Sequence, residues 1–308
     1  MGSRKKGNPV HGWLVLDKPA GMTSTQAVGA VRRLFDARKA GHAGTLDPLA
    51  TGILPIALGE ATKTVPYAVD GAKCYRFTVR WGAATSTDDA EGEITETSTV
   101  RPRREAIEAQ LEHFTGEIMQ VPPAFSAIKV DGHRAYDLAR EGELVELAPR
   151  PVRIDTLALR GMPDDDTAVF EATCGKGTYV RSLARDMGRE LGCLGHLIEL
   201  RRTRVAAFDE DLAVSRDALR AAAEVGSEAM HALLLPVEAA LQDLAVLDVG
   251  QNDAARLARG QSVLIRGRDG LITTGPTYAT CRGHLVAVGR IDKGELHPTR
   301  VFNFGDGG

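Results

Sequence analysis

Apolar and polar positions along the chain predict a protein in which strands outnumber helices. Residues 13–16 form a short apolar run suited to a strand, and residues 75–80 alternate polar with apolar as a half-buried strand does. Residues 93–97 follow a turn rich in Thr, Asp and Gly, and are predicted to be the hairpin partner of 75–80. Further strands are predicted at 152–159 and 168–173.

Helical periodicity occurs in fewer places. It predicts one helix over 24–34, a second that begins at Pro102 and ends at Gly116, and a third over 178–191. The apolar stripe of the third helix consists of Val180, Leu183, Ala184, Met187 and Leu191. Because the helices are few and irregularly placed between strands, the pattern favours a mixed α+β fold over a doubly wound parallel sheet.

The pattern of apolar and polar residues changes near Leu244. Ala-rich helical sequence over 215–241 gives way to a short helix at 252–259 and then to brief strand-like runs. These runs are 263–266, 278–281, 285–291 and 299–304. Short strands over about 60 residues favour a small β-barrel. We therefore predict a disordered basic tail at 1–9, a main domain at 10–243 and a small β domain at 244–308.

Composition is that of an ordinary globular protein, with 43% apolar and 26% charged residues. No apolar run approaches the length of a membrane span, and the N-terminus lacks the apolar region of a secretory signal. The four cysteines are scattered without metal-site spacing. This pattern predicts a cytoplasmic protein with no membrane association and no zinc site.

Net charge does not identify a partner. The formal charge of −3 counts against nucleic acid, for which a basic domain is the usual footprint. Local basic clusters nevertheless occur at 4–6, 32–39, 101–104 and 201–204. Any single cluster is typical of solvated surface, so composition alone leaves the choice open.

Residues 41–59, GHAGTLDPLATGILPIALG, carry the strongest candidate chemistry. Four glycines surround one carboxylate, Asp47, which Pro48 follows directly. One interpretation is that Asp47 caps a helix whose first residue is Pro48. The other is that the glycines and the fixed φ of Pro48 form a rigid loop that presents Asp47 to a bulky ligand. Spacing alone does not decide between them.

The first fifteen residues of this segment resemble the signature of the tRNA pseudouridine-55 synthase family (TruB type). Five other segments resemble further blocks of that family in the same order. They are HGWLVLDKPAGMTS at 11–24, KCYRFTVRWGAATSTDDAEG at 73–92, PPAFSAIKVDGHRAYDLAREG at 122–142, GKGTYVRSLARDMG at 175–188 and HLIELRRT at 196–203. Together they span most of 10–205. Two differences occur: Trp81 stands where Leu is usual, and Ser86 where an acid is usual.

The resemblance implies a pseudouridine synthase catalytic fold with a mixed, mainly antiparallel sheet over 10–243, and a PUA-like RNA-binding domain at 244–308. It also implies a mobile RNA-clamping segment at 124–150, although an ordinary surface excursion fits the same residues. The basic side chains of this segment are Lys129, His133, Arg134, Arg140 and Arg150.

The resemblance also assigns roles at the catalytic centre. It implies that Asp47 is the catalytic residue, that Arg181 lies beside it and keeps it ionised, and that Tyr75 packs on the uracil and helps to move a proton. Read without the family, Tyr75 is a half-buried strand residue and Arg181 a surface ion-pair partner.

Four further residues are implied at the binding site. His42 would fill the space that the base vacates, where a loop histidine is otherwise simply exposed. Tyr179 and Leu200 would line the pocket, a role for Leu200 that differs little from plain core. Lys18 would support the site or contact phosphate.

The implied reaction converts the T-loop uridine of tRNA, uridine-55, to pseudouridine after the base is flipped into a pocket. It breaks the N1–C1′ bond and rejoins the uracil through C5, which requires neither cofactor nor metal. One carboxylate suffices, whether it attacks the sugar or removes the C2′ proton, whereas a glycosidase needs two. We expect a monomer that binds the T stem-loop. The alternatives are a non-catalytic RNA-binding or tRNA-folding protein, and the same chemistry on another RNA.

Overall fold

The computed structural model describes residues 7–126, 129–130, 133–134, 147–265 and 274–305. The side chains of Lys129, His133, Arg134 and Arg140, predicted to belong to an RNA-clamping segment, lie outside the described residues, as do residues 1–6 of the predicted tail. The last part of that tail contacts the domain, because Asn8 N donates to Asp36 O at 2.6 Å.

Strands dominate the described part of the chain, as the sequence pattern predicts. They are β1 Gly12–Lys18, β2 Ala40–His42, β3 Thr51–Leu58, β4 Lys73–Trp81, β5 Ala83–Thr85, β6 Ile94–Thr97, β7 Gly116–Gln120, β8 Lys129–Val130, β9 His133–Arg134, β10 Arg150–Asp164, β11 Thr167–Cys174, β12 Gly195–Val205, β13 Phe208–Asp209, β14 Val214–Ser215, β15 Ala245–Asp248, β16 Val263–Leu264, β17 Gly275–Cys281, β18 His284–Asp292 and β19 Glu295–Val301.

The helices are α1 Ser24–Leu34, α2 Val65–Asp70, α3 Arg104–Gln110, α4 Val180–Glu190, α5 Arg216–Val225, α6 Ser227–His231 and α7 Gln251–Ala258. Single 3₁₀ turns lie at Gly59–Lys63, Leu111–Phe114, Glu210–Leu212 and Val237–Leu241. In the described residues no helix is both long enough and apolar enough to cross a membrane.

The α1 helix has the bounds that its pattern predicts because its ends carry the appropriate signals. Thr23 accepts a hydrogen bond from Gln26 N, and the Gln26 side chain accepts one from Thr23 N, which forms a capping box. Arg32 and Arg33 lie in its last turn, where a positive charge complements the helix dipole.

One large sheet forms the main body. Its strand order is β14-β1-β3-β12-β4-β11-β10-β7, with β13 paired to β12 and β2 paired to β3. The pairs β1–β14 and β3–β12 are parallel and the others are antiparallel. The sheet is therefore mixed and mainly antiparallel, as predicted.

The predicted hairpin between 75–80 and 93–97 is wrong. The β6 strand pairs with β5, whereas β4 lies between β11 and β12. Gly82, with φ of +91°, turns the chain out of β4, so that β5 and β6 form a small separate ribbon. Alternation marks 75–80 as a strand, but it carries no information about which distant segments will pair with it.

Two central strands, β3 and β12, have no counterpart among the predicted strands. Pro55 lies inside β3, and proline is ordinarily excluded from central strands. The structure accommodates it because the pairing of β12 with β3 is confined to Thr51 and Gly52. The carbonyl of Pro55 accepts from Ala43 N at 3.0 Å.

The described residues of the C-terminal region form a second, smaller sheet of five strands, in the order β15-β17-β18-β19-β16. It has its own apolar cluster, formed by Leu257, Val263, Ala279, Ala287, Ile291 and Leu296. It also packs on the main domain, because Leu285 and Phe302 share a cluster with Trp13. Lys63 Nζ donates to Val301 O at 2.8 Å across the same junction.

Candidate active site

Asp47 lies on the loop that connects β2 to β3. The structure has no helix at Pro48, so the interpretation of Asp47 as a helix cap is wrong. The loop instead makes a local turn in which Ala50 N donates to Asp47 O at 3.1 Å. The side chain of Asp47 is 32% exposed, so its carboxylate is open to a ligand on one side.

Two side chains from the start of the chain hold this loop on either side of Asp47. Ser24 Oγ donates to Leu46 O at 3.0 Å and accepts from Leu46 N at 2.8 Å. Lys18 Nζ donates to Pro48 O at 3.3 Å, and also to Pro19 O and Met22 O. Both neighbours of Asp47 are thus fixed through their backbones.

Lys18 therefore supports the site through the backbone carbonyls that it binds. It is fully buried, and burial lowers the pKa of its ammonium to about 8, although the charge of Asp47 acts in the opposite direction. Because its three hydrogen bonds go to backbone carbonyls, the structure favours the supporting role expected for Lys18 over contact with phosphate.

Arg181 projects from the first turn of α4 and faces Asp47. Its Nε lies 2.9 Å from Asp47 Oδ2, at an angle unsuited to a hydrogen bond, so the contact is mainly an ion pair. The side chain of Arg181 is only 5% exposed. It is therefore not the surface arginine of the plain interpretation.

The rest of the Arg181 guanidinium is held by the segments around it. Nη1 donates to Thr87 O at 3.1 Å and Nη2 to Phe125 O at 2.9 Å. Nη1 also lies 3.6 Å from Oδ2 of Asp89, whose side chain is 4% exposed. Arg181 consequently joins the Asp47 loop to the turn after β5.

Asp89 is a site residue that the sequence did not single out. Its Oδ1 accepts from Thr87 Oγ1 and from Glu91 N, so its carboxylate is itself fixed within the turn. Ser86, which stands where the family has an acid, accepts from Glu93 N at 3.2 Å and closes the same turn. The signal in the sequence is an acidic pair, Asp88 and Asp89, in the same matched segment as Tyr75 and in the turn after β5.

The pKa of the Asp47 carboxyl is raised above its ordinary value. Burial is the largest cause, and the negative charge of Asp89 adds to it. The charges of Arg181 and Lys18 act in the opposite direction. Arg181 therefore favours the ionised form of Asp47, but it opposes the effect of burial rather than overcoming it.

Tyr75 and Leu200 lie on the paired strands β4 and β12. Tyr75 is directly opposite Arg202, and Leu200, which is 7% exposed, is opposite Phe77. Burial raises the pKa of the Tyr75 hydroxyl, whereas the charge of Arg202 lowers that pKa. The negative charge of Asp47 raises the pKa of the same hydroxyl.

Arg202 is the second residue that the sequence missed. It belongs to the basic run 201–204, but it is 1% exposed and cannot contact phosphate. The sequence signal that could have identified Arg202 is strand periodicity. Residues two apart in a strand share a face, so Arg202 faces the same way as Leu200.

His42 ends β2, just before the Asp47 loop. It is partly buried rather than an exposed loop residue, and its Nδ1 is enclosed without a hydrogen-bond partner in the described structure. Burial, and then the charge of Arg202, lower the pKa of its imidazole. His42 is therefore biased towards the neutral form.

Tyr179 is the N-cap residue of α4, two positions before Arg181. Its backbone is held by Gln120, whose Oε1 accepts from Tyr179 N at 2.8 Å and whose Nε2 donates to Tyr179 O at 3.1 Å. Arg150 stacks on its ring, with the guanidinium carbon 5.1 Å from the ring centroid.

Two protein-family models match the chain. One is described as TruB family pseudouridylate synthase (N terminal domain) and matches residues 32–180. The other, tRNA pseudouridylate synthase B C-terminal domain, matches residues 181–242. A relative from Bradyrhizobium diazoefficiens, named tRNA pseudouridine synthase B, is 59% identical over 303 residues, which cover 97% of this chain and 88% of the relative. The chain belongs to the TruB family of pseudouridine synthases.

A second TruB relative of the same name, from Agrobacterium fabrum, is 55% identical over 304 residues, covering 97% of this chain and 96% of that protein. The prediction of a pseudouridine synthase is confirmed. The part matched by the second family model begins within α4 and contains β12. It is therefore continuous with the main sheet and precedes the five-stranded C-terminal sheet.

Solved structures with this fold confirm the predicted fold class. The crystal structure of a Cbf5-Nop10-Gar1 complex aligns with a TM-score of 0.72 at 24% identity, covering 96% of this chain and 85% of that chain. The structure of an H/ACA RNP bound to a substrate RNA containing 2′-deoxyuridine aligns at 0.71 with 21% identity, covering 98% and 92%. At such identities the likeness concerns the fold alone.

Proposed function

We propose that this TruB-family protein isomerises uridine-55 in the T-loop of tRNA to pseudouridine, with Asp47 as the catalytic group. The observation that carries the proposal is the ion pair of 2.9 Å between Asp47 and the enclosed Arg181. It holds one partly exposed carboxylate on a loop whose flanking residues are anchored by Ser24 and Lys18. The relatives named tRNA pseudouridine synthase B support tRNA as the substrate.

The reaction conserves the composition of the nucleoside. The N1–C1′ bond breaks, the uracil turns, C5 bonds to C1′, and the hydrogen at C5 is lost to solvent while N1 gains a proton. Asp47 acts either by adding to the sugar at C1′ or by removing the C2′ proton, and both routes need its ionised form. Neither route needs a cofactor or a metal ion.

Arg181 and Tyr75 assist this carboxylate. Arg181 fixes the orientation of Asp47 through its ion pair and favours its ionised form. Tyr75 offers an aromatic face for the uracil and a hydroxyl that helps to move the proton from C5. The base must leave the RNA stack to reach them, which costs a few kcal/mol. His42, biased towards the neutral form, fills the space that the base vacates, and Tyr179 and Leu200 line the pocket.

The substrate of this enzyme is the T stem-loop, bound by a monomer in the cytoplasm. The domain at 10–243 supplies the chemistry, the segment at 124–150 clamps the RNA, and the domain at 244–308 adds affinity as a PUA-like module. The small five-stranded sheet with its own apolar cluster supports this division.

Mapping of pseudouridine in tRNA tests the proposal. An unmodified tRNA transcript is incubated with the protein and mapped at every uridine, beside a matched transcript with cytidine at position 55. We expect one new pseudouridine at position 55 of the first transcript and none in the second. Modification only at other positions would assign the chemistry to another site, and tight binding without any pseudouridine would favour a non-catalytic tRNA-binding protein.

A further inference from the structure

Arg202 is a buried cation that contacts the loop carrying Asp47. Its guanidinium is hydrogen-bonded to neutral oxygens: Nε donates to Ile53 O at 2.8 Å, Nη2 to Gly44 O at 3.0 Å and Nη1 to Thr45 O at 3.3 Å. A charge that is 1% exposed and held by neutral groups is costly to bury. Because a packed apolar side chain would avoid that cost, the charge itself requires an explanation.

The first two groups that Arg202 controls lie at the entry to the Asp47 loop. Gly44 and Thr45 precede Asp47 by three and two residues, and both of their carbonyls accept from Arg202. The backbone of Arg202 also packs closely against Gly52, where a Cβ would lie 2.2 Å from Arg202 O. Arg202 therefore holds the residues before Asp47, whereas Lys18 holds Pro48 after it.

The third group is the hydroxyl of Tyr75, directly across the β4–β12 pair. The charge of Arg202 acts on this hydroxyl and favours the ionised phenol. Since a guanidinium only donates hydrogen bonds, the phenol oxygen can meet Arg202 only as an acceptor. One side chain thus hydrogen-bonds to the Asp47 loop and lies opposite Tyr75.

We propose that Arg202 is a positioning residue of the active site, which fixes the Asp47 loop and the Tyr75 hydroxyl in one relative arrangement. The catalytic part of this inference rests on the proposed function. The reaction has to break one bond and form another at the same sugar carbon, so the carboxylate and the tyrosine must keep their relative position while the base turns.

Substitution of Arg202 tests the proposal in the full-length protein. Arg202→Met removes the charge and the donors, and Arg202→Lys keeps the charge without the fork of donors. The matched control is Arg76→Met, on the residue after Tyr75, whose side chain points to the other face of β4 and pairs with Glu171. Single-turnover tritium release from tRNA labelled at C5 of uridine, and the Kd for that tRNA, are measured for each protein.

We expect Arg202→Met to slow tritium release by about 10- to 100-fold, which is the loss of charge-assisted hydrogen bonds expressed as a rate. The Kd should change little, and Arg202→Lys should fall between Arg202→Met and the wild type. A rate for Arg202→Met within about twofold of the Arg76→Met rate would overturn the proposal. If Arg202→Met does not fold, Arg202→Lys carries the same comparison.

A double-mutant cycle separates positioning from general loss of structure. Tyr75→Phe removes the hydroxyl, so Arg202→Met should cost less in that background than in the wild type. Equal rate factors for Arg202→Met in both backgrounds would show that Arg202 does not act through the Tyr75 hydroxyl, which contradicts the proposal.

A spectroscopic readout is independent of turnover. The ¹³Cζ resonance of labelled Tyr75, assigned by its loss in Tyr75→Phe, should move in Arg202→Met and stay in place in Arg76→Met. An unchanged resonance in Arg202→Met would show that Arg202 does not act on the Tyr75 hydroxyl, which overturns the proposal. If the resonance changes but the wild-type protein releases no tritium, Arg202 does act on Tyr75, and it is the proposed function that is rejected.

Discussion

Lys18 Nζ lies 3.3 Å from the carbonyl oxygen of Pro48, so a lysine of the first strand holds the residue that follows Asp47. The same ammonium binds Pro19 O at 2.9 Å and Met22 O at 2.8 Å. The N-terminal strand and the Asp47 loop are therefore joined by one buried cation.

Replacing Lys18 by Met should destabilise the protein and slow the reaction. The substitution removes the Lys18 donor from Pro19 O and Met22 O and leaves Pro48 O with Gly21 N alone, and each buried group left unsatisfied costs about 1–3 kcal/mol. Urea unfolding gives the stability and single-turnover tritium release gives the rate. Lys293→Met, on an exposed turn of the C-terminal sheet, is the matched control. Equal unfolding midpoints for the two variants would contradict the bridging role of Lys18.

The raised pKa of Asp47 predicts a particular dependence of stability on pH. Between its ordinary value of 3.8 and the raised value, the folded state keeps a proton that the unfolded state has lost. Stability from this group therefore falls as pH rises through that window. Asp47→Asn should remove this contribution, so its unfolding free energy should fall less steeply than that of the wild type as the pH rises above 3.8. Parallel curves would contradict a raised pKa.

The bounds of the helices are the part of the fold that the sequence predicts best. Helical periodicity alone predicts both ends of α1, and the structure adds the capping box of Thr23 and Gln26 at its start. The pairing of the strands could not be predicted from the sequence. The β4 strand pairs with segments about a hundred residues away, and no local pattern indicates which segments these are. The β3 strand is hard to predict because Pro55 argues against a central strand until it is known that β12 pairs with β3 only at Thr51 and Gly52.

The same limit applies to the candidate site: residues that are contiguous in the sequence could be predicted, and residues brought together by distant contacts could not. The residues of the loop around Asp47 are contiguous, so their motif could be matched as one piece. Asp89 and Arg202 act through distant contacts, and a basic run such as 201–204 is the same in composition whether its members are exposed or enclosed. The structure separates them: Arg202 is buried, whereas Arg204 is exposed.

This difference yields a prediction about salt. The basic clusters are expected to share one RNA-binding face, so tRNA binding should weaken with salt, with a slope of roughly −0.7 to −0.9 in log K against log salt per phosphate contact. Arg204→Ala should reduce the slope by about one contact. A flat dependence for the wild type would show that the clusters do not meet the phosphate backbone.

The C-terminal sheet should add affinity but no chemistry. Each candidate catalytic residue lies before residue 205, yet Phe302 packs in the same cluster as Trp13, so removal of the sheet exposes apolar surface. A chain that ends at Gln242 should unfold at a lower temperature and bind tRNA more weakly while it still releases tritium. Complete loss of turnover, in a truncated chain that circular dichroism shows to be folded, would contradict this division.

The central claim is that the carboxylate of Asp47 carries the reaction. Asp47→Asn keeps the shape of the side chain and removes its ability to act as nucleophile or base. The direct measurement uses a T stem-loop with tritium at C5 of the target uridine, because forming the C5–C1′ bond expels that hydrogen. We predict that tritium appears in water with the wild type and stays in the RNA with Asp47→Asn, although both proteins bind the RNA. Equal release of tritium by the two proteins would contradict the assignment of Asp47.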